Sequence, residues 1–197
     1  MVIRPVSFSI GGHVPIGGGA PVVVQTMCNT STDDIEASVA QCRRMAAAGA
    51  GLIRLTTQGL KQVESLRIIR DRLRAEGIDT PLVADIHFLA DAALAAASVA
   101  DKVRINPGNF AREHEVACAK FRELIALCKE HGTTIRIGLN HGSLGERITQ
   151  KYGNTPLAMK EAVMEWLRMC VAEDFERVVI SLKADDARFF KIERASN

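Results

Sequence analysis

In KVRINPGN, residues 102–109, an arginine and an asparagine stand two positions apart, Arg104 and Asn106, just before a Pro-Gly stop. Alternate residues of an extended segment share a face, so a guanidinium and an amide point the same way. The pattern recurs. Asp85 and His87 share a face in PLVADIH, Arg136 and Asn140 share one in TIRIGLN, and Arg54 and Lys183 take comparable places in LIRLT and RVVISLK. Guanidinium forks match phosphate oxygens two at a time. Gathering Arg54, Arg104, Arg136 and Lys183 around one carboxylate, Asp85, is unfavourable unless an anion compensates them. Asn106 and Asn140 add amides, and the loops NPGN and NHGS that they open add backbone N–H donors. The expected ligand is a small organic phosphate or diphosphate. His87, joined by His141, brings titratable charge. Among so many cations, Asp85 and His87 read as a pair that orients a ligand or moves a proton, not as metal ligands. A single strand-end arginine is as readily a structural ion-pair partner; recurrence in five strands is what argues for a site.

These groups need a scaffold that brings strand ends together. Short β-branched runs alternate with amphipathic stretches throughout. Strands are expected at 21–26, 52–56, 81–87, 102–106, 134–140 and 177–183. Between them fall helices at 33–48, 60–76, 89–98 and 115–131, and one that begins at Thr155-Pro156. Asp33 with Glu36 resembles a capping box, Gly49, Gly77 and Gly132 close helices, and Thr155-Pro156 is an N-cap followed by proline in the first turn. Six strands alternating with helices predict a parallel sheet with right-handed crossovers.

Side-chain alternation separates two parallel architectures. A doubly wound sheet is apolar on both faces, whereas a barrel turns one parity toward helices and the other toward its lumen. Ile53 and Leu55, Ala84 and Ile86, Val103 and Ile105, Ile135, Ile137 and Leu139, and Ile180 and Leu182 are the apolar parity. The opposite parity turns polar toward the C-terminal end of each strand. The expected fold is a (β/α)8 TIM-type barrel, incomplete here because a full one needs eight strands and roughly 250 residues. Residues 1–184 are expected to form the partial barrel and 185–197 a divergent tail, with strand edges left open on both sides. The glycine-rich stretch 11–20 (GGHVPIGGGA) reads as a turn-rich opening, a short hairpin over the barrel floor. It is not a P-loop, since no Gly-Lys-Ser/Thr follows, nor a dinucleotide fingerprint, since it precedes the first strand.

The 197 residues are 47% hydrophobic and 24% charged with a net charge of +2, so nothing global argues for nucleic acid or a membrane surface. The N-terminus lacks a signal-peptide core and no run is long enough to span a bilayer, which makes a cytoplasmic protein the expectation. Five cysteines, an odd number, do not suggest a disulfide framework. His114 with Cys118, and Cys128 with His131, sit one helical turn apart. They read as core thiols and helix-end imidazoles, not as a metal site.

Several strings in order, GGHVPIGGGAPVVVQTM, VADIHF, KVRINPGN, IRIGLNHGSL, KYGNTP and VVISLKA, resemble the N-terminal barrel of the 4-hydroxy-3-methylbut-2-enyl diphosphate synthase family. The resemblance runs from about residue 6 to Ala184. RLTTQG and VAEDFERVVISLKA are more similar to the long form found in plants and chlamydiae. The resemblance implies an oxidoreductase of non-mevalonate isoprenoid biosynthesis. Its substrate is 2-C-methyl-D-erythritol 2,4-cyclodiphosphate, which is opened and reductively dehydroxylated with two electrons. It further implies a 4Fe–4S cluster, a flavodoxin or ferredoxin donor, and a homodimer in the full-length protein. The family's diphosphate-binding and catalytic positions match Arg54, Asp85, His87, Arg104, Asn106, Arg136, Asn140 and Lys183. The family's cluster ligands, three cysteines and a glutamate in a C-terminal domain, have no match here. The sequence DDARFFKIERASN departs from the family after Ala184. This chain alone is therefore expected to bind the diphosphate weakly and not to turn it over. Two other readings are a Schiff-base aldolase built on Lys183 and an inactive phosphate-binding fragment.

Overall fold

A computed structural model of the chain describes residues 6–185. A hairpin comes first, β1 (Phe8–Ile10) and β2 (Val14–Ile16), followed by β3 (Gln25–Met27) and α1 (Ile35–Ala47). The chain continues through β4 (Leu52–Thr56), α2 (Leu60–Ala75), β5 (Leu82–Asp85), α3 (Ala90–Ala96), β6 (Lys102–Ile105) and α4 (His114–His131). The last described elements are β7 (Thr134–Asn140), α5 (Glu146–Tyr152), α6 (Pro156–Ala172) and β8 (Val178–Lys183). Strands β3 to β8 form one parallel sheet in sequential order, a curled portion of a barrel with helices on its outer face.

The parity that the sequence predicts is the parity observed. Ile53, Leu55, Ala84, Val103, Ile105, Ile135, Ile137 and Leu139 are completely buried and pack with Cys42, Leu66, Ile69, Phe121, Leu124 and Trp166 from the helices. Burying each such aliphatic side chain stabilises the fold by roughly 1.5–3 kcal/mol. Strand β8 departs from this pattern. Ile180 and Leu182 remain 45% and 37% exposed, because no described helix lies over them.

The glycine-rich opening does form a hairpin at the floor. Ile10 is completely buried against Leu52 and Val83, the lumen-facing residues at the start of β4 and β5. Arg177, just before β8, donates to the Ser9 carbonyl at 2.6 Å and places its guanidinium over the Phe8 ring.

Three local expectations change. The strand expected at 21–26 is confined to Gln25–Met27. Val22 and Val24 are exposed, and β4 reaches back only as far as the Val24 carbonyl, so the valines have the propensity for a strand and lack a neighbour. The N-cap of α1 is Asp34, which accepts from the Ala37 amide at 3.1 Å. Asp33 instead accepts from Gln62 on α2 at 2.8 Å, and Glu36 pairs with Arg72. The segment 146–152 is a helix, α5, where no element is expected. The Thr155 cap is as read: its hydroxyl accepts from the Ala158 amide at 3.2 Å.

Candidate functional site at the strand ends

Register sets the site. Arg54, Val83, Lys102 and Thr134 lie side by side in one row across β4 to β7. Thr56, Asp85, Arg104, Arg136 and Val179 form the next row toward the C-terminal ends. Those on β4 to β7 point to the lumen, since they alternate with the buried parity, and Val179 shares their row on β8.

Asp85, 2% exposed, is the hub. One carboxylate oxygen accepts from Arg54 Nη2 at 2.5 Å and the other from Arg104 Nη1 at 3.3 Å. His87 Nε2 lies 3.2 Å from Asp85 Oδ2 and 2.7 Å from Arg104 Nη1. His87 Nδ1 lies 3.0 Å from Arg104 Nη1 as well, so a ring carrying its proton on Nε2 can donate to Asp85 while Nδ1 accepts from Arg104.

Arg104 also donates to the Gly138 carbonyl, and Arg136 donates to Ser181 Oγ at 2.7 Å. Burial lowers the affinity of both arginines for their protons. The Asp85 carboxylate works against that shift, Arg54 adds to it in both, and Arg104 adds to it in Arg136. Asn106 is buried; it donates to Ser143 Oγ at 3.0 Å and accepts from the Gly108 amide at 3.2 Å. Gly108 is pressed against the neighbouring loop so closely that a Cβ would stand 1.9 Å from the Ser143 carbonyl. The loop after β6 and the loop after β7 thus form one rim. Asn140 and Lys183, partners in register, open onto a cleft of about 330 Å³ with His141 and Ser143.

The structure therefore brings Arg54, Asp85, His87, Arg104 and Arg136 into one cluster and joins Asn106 to the rim beside it. Lys183 is exposed at the end of β8, at the Asn140 side of that rim. Three participants escaped the sequence reading. Ser143 and Ser181 supply hydroxyls to Asn106 and Arg136. Lys102, 4% exposed, extends across the lumen to Gln25 Oε1 at 2.8 Å. Its parity with Arg104 was the available signal. Among the described lumen-facing residues of β4 to β7, four cations, Arg54, Lys102, Arg104 and Arg136, share one carboxylate.

Cys128 and Cys170 are buried on helices and burial pushes their thiols up to about 12 and about 11, whereas a cluster binds thiolates. Cys28 and Cys42 are buried 3.6 Å apart, and among the described residues no three His, Cys, Asp or Glu side chains group as metal ligands.

Fold and site together define an α/β barrel domain with a cationic lumen mouth. Comparison with known proteins narrows this. Residues 7–193 match the family described as the GcpE TIM-barrel domain, and the chain belongs to that family. It is 48% identical over 192 residues to the 4-hydroxy-3-methylbut-2-en-1-yl diphosphate synthase (flavodoxin) of Phocaeicola vulgatus, covering 89% of this chain and 31% of that protein. The protein of the same name from Chlorobaculum tepidum is 42% identical over 203 residues, covering 95% of this chain and 27% of that protein. This chain thus spans about a third or less of the length of these relatives. Among solved structures, the phospho-2-dehydro-3-deoxyheptonate aldolase of Thermotoga maritima superposes with a TM-score of 0.57 at 16% identity, over 90% of this chain and 45% of that one. That likeness is one of fold alone.

Proposed function

We propose that this chain is the substrate-binding barrel of a 4-hydroxy-3-methylbut-2-en-1-yl diphosphate synthase, seating 2-C-methyl-D-erythritol 2,4-cyclodiphosphate at the strand ends. The observation that carries the reading is the cation excess. Arg54, Arg104 and Arg136 converge on a single carboxylate in a mostly buried setting, and a diphosphate supplies the missing negative charge. The name shared by relatives 48% and 42% identical agrees with that ligand.

In this reading Arg54, Arg104, Arg136 and Lys183 hold the phosphate oxygens, and Asn106 and Asn140 orient them from the rim. Opening the ring breaks a carbon–oxygen bond whose oxygen stays with the diphosphate, and the departing hydroxyl leaves as water. His87, in contact with both Asp85 and Arg104, is placed to pass the proton that such a departure needs. The 4Fe–4S cluster of such an enzyme, fed by flavodoxin or ferredoxin, would supply the two electrons. In this reading the cluster ligands belong to another part of the enzyme, which agrees with the raised thiols of Cys128 and Cys170. A homodimeric cytoplasmic enzyme completes the reading; no helix among the described residues is long and apolar enough to cross a membrane.

Titration calorimetry of the chain with the cyclic diphosphate tests the proposal. Saturable binding that Arg104→Ala weakens by at least tenfold supports it. Absence of heat at millimolar ligand would leave only a scaffold.

A further inference from the structure

The lumen holds a second feature, one row deeper than Asp85 and Arg104. Lys102 and Gln25 are the first residues of β6 and β3, three strand positions apart in the sheet, and their side chains meet across the lumen. Val83 lies beside Lys102 in its own row, and with Ile10 and Leu52 it seals the floor. An ammonium has three protons to donate and needs a counter-charge when buried, yet Lys102 has one neutral amide oxygen. The same row contains two more incomplete groups: Arg54 Nε and Thr134 Oγ1 are buried and have no hydrogen-bond partner. A row designed only to hold strands together would be cheaper as leucine or methionine.

We propose that Lys102 is a further cation of the anion site, which leaves Gln25 to meet the bound phosphate from below and takes up a proton as it does so. This deepens the reading of the mouth as a diphosphate site and rests on it. The charged groups on the lumen face around Lys102 are Arg54 on β4, Asp85 on β5, Arg104 on its own strand and Arg136 on β7; β3 contributes only the neutral Gln25. Burial first, then Arg136 and Arg54, brings the ammonium down to about 8. Asp85 is already engaged by Arg54, Arg104 and His87. A dianion entering the row reverses that balance and favours the charged amine.

The test is calorimetry with inorganic pyrophosphate at pH 8 in two non-phosphate buffers of different ionisation enthalpy. Wild-type chain is expected to show a buffer-dependent enthalpy equivalent to roughly half a proton taken up by Lys102. Lys102→Met should bind about tenfold more weakly and lose that uptake. Lys102→Arg, permanently charged, should keep most of the affinity and still lose the uptake. Ligand-free thermal unfolding provides a second readout. Lys102→Met should melt no lower than wild type, because an unpaired buried ammonium is removed, whereas a purely structural strut predicts a lower melting temperature. Wild-type affinity and uptake retained in Lys102→Met would overturn the proposal, and so would a lowered melting temperature with unchanged binding. If Lys102→Met does not fold, the strut is what the fold requires and the proposal fails unless Lys102→Arg binds without uptake. Wild-type chain that takes up no pyrophosphate at all would instead overturn the reading of the mouth itself.

Discussion

Arg104 lies against the backbone of Gly138: its Nη2 donates to the Gly138 carbonyl at 3.3 Å, and a Cβ on that glycine would stand 2.7 Å from Arg104 Nε. The missing side chain on β7 is therefore the space that the β6 guanidinium fills. Its reach toward Asp85 and His87 depends on a residue that has no functional group of its own.

Gly138→Ala should push Arg104 off this seat. The expected result is pyrophosphate affinity reduced at least tenfold, with a stability loss on the order of 1–3 kcal/mol from overpacking. Calorimetry and urea unfolding measure the two separately. Undiminished affinity would mean that the guanidinium does not serve the ligand from this position.

Val103 and Arg104 are adjacent and face opposite ways, so their alanine variants should fail in opposite ways. Val103→Ala removes methyl groups from a fully buried position and should cost on the order of 1–3 kcal/mol of stability, with affinity unchanged. Arg104→Ala should cost affinity first. Matching profiles for the two variants would contradict the division between outer core and lumen.

Among the described residues, Asp85→Asn removes the only carboxylate from the cluster of Arg54, Arg104 and Arg136. Breaking a buried pair costs about 3–5 kcal/mol, and the variant is expected to melt well below wild type. Pyrophosphate should restore it by more than it raises the wild type, since a ligand bound only by the folded state stabilises in proportion to its affinity. Equal thermal shifts in the two proteins would argue against an anion taking the carboxylate's place.

Stability should also depend on pH in a direction that Lys102 fixes. Its amine titrates at about 8 when folded, against an ordinary value of 10.5. Between those values the unfolded chain holds a proton that the folded chain has shed, so stability rises with pH across this window; below about 8 both states are protonated and the full cost of the buried ammonium applies. The wild-type stability minus that of Lys102→Met should climb from pH 8 to 10.5 by up to about 3 kcal/mol. Urea unfolding of both proteins at three pH values checks it, and a flat or falling difference counts against a buried, charged Lys102.

Alternation made much of this visible in the sequence. Ile53 with Leu55, Val103 with Ile105, and Ile135 with Ile137 separate an outer parity from an inner one, and burial on that parity is local to each strand. Asp85, His87 and Arg104 followed from it, since a residue's neighbours fix the face it takes. Lys102 shared that parity but was passed over, because lysine is rarely fully buried; its partner Gln25 comes from a strand 77 residues away, and no local pattern links them. The helix at 146–152 lies between Gly145 and Gly153 and is seven residues long, so its flanks read as loop. The valines at 22 and 24 had strand propensity, but pairing is set by the reach of β4. Ile180 and Leu182 kept the right parity, and what covers an outer face depends on another element altogether.

Strand order has a consequence for how the chain reaches this state. Every neighbour in the parallel sheet is also the next strand in sequence, so the sheet can be laid down from first strand to last as the ribosome delivers it. Links that break that locality include Lys102 to Gln25, Ile10 to Leu52 and Val83, and Arg177 to Ser9 across 168 residues. The hairpin can seat Ile10 only once β4 and β5 are paired beneath it, and its anchor to Arg177 closes after synthesis has passed that residue. Pulsed amide exchange during refolding should find Leu82–Asp85 protected before Phe8–Ile10, and simultaneous protection would rule out that order of events.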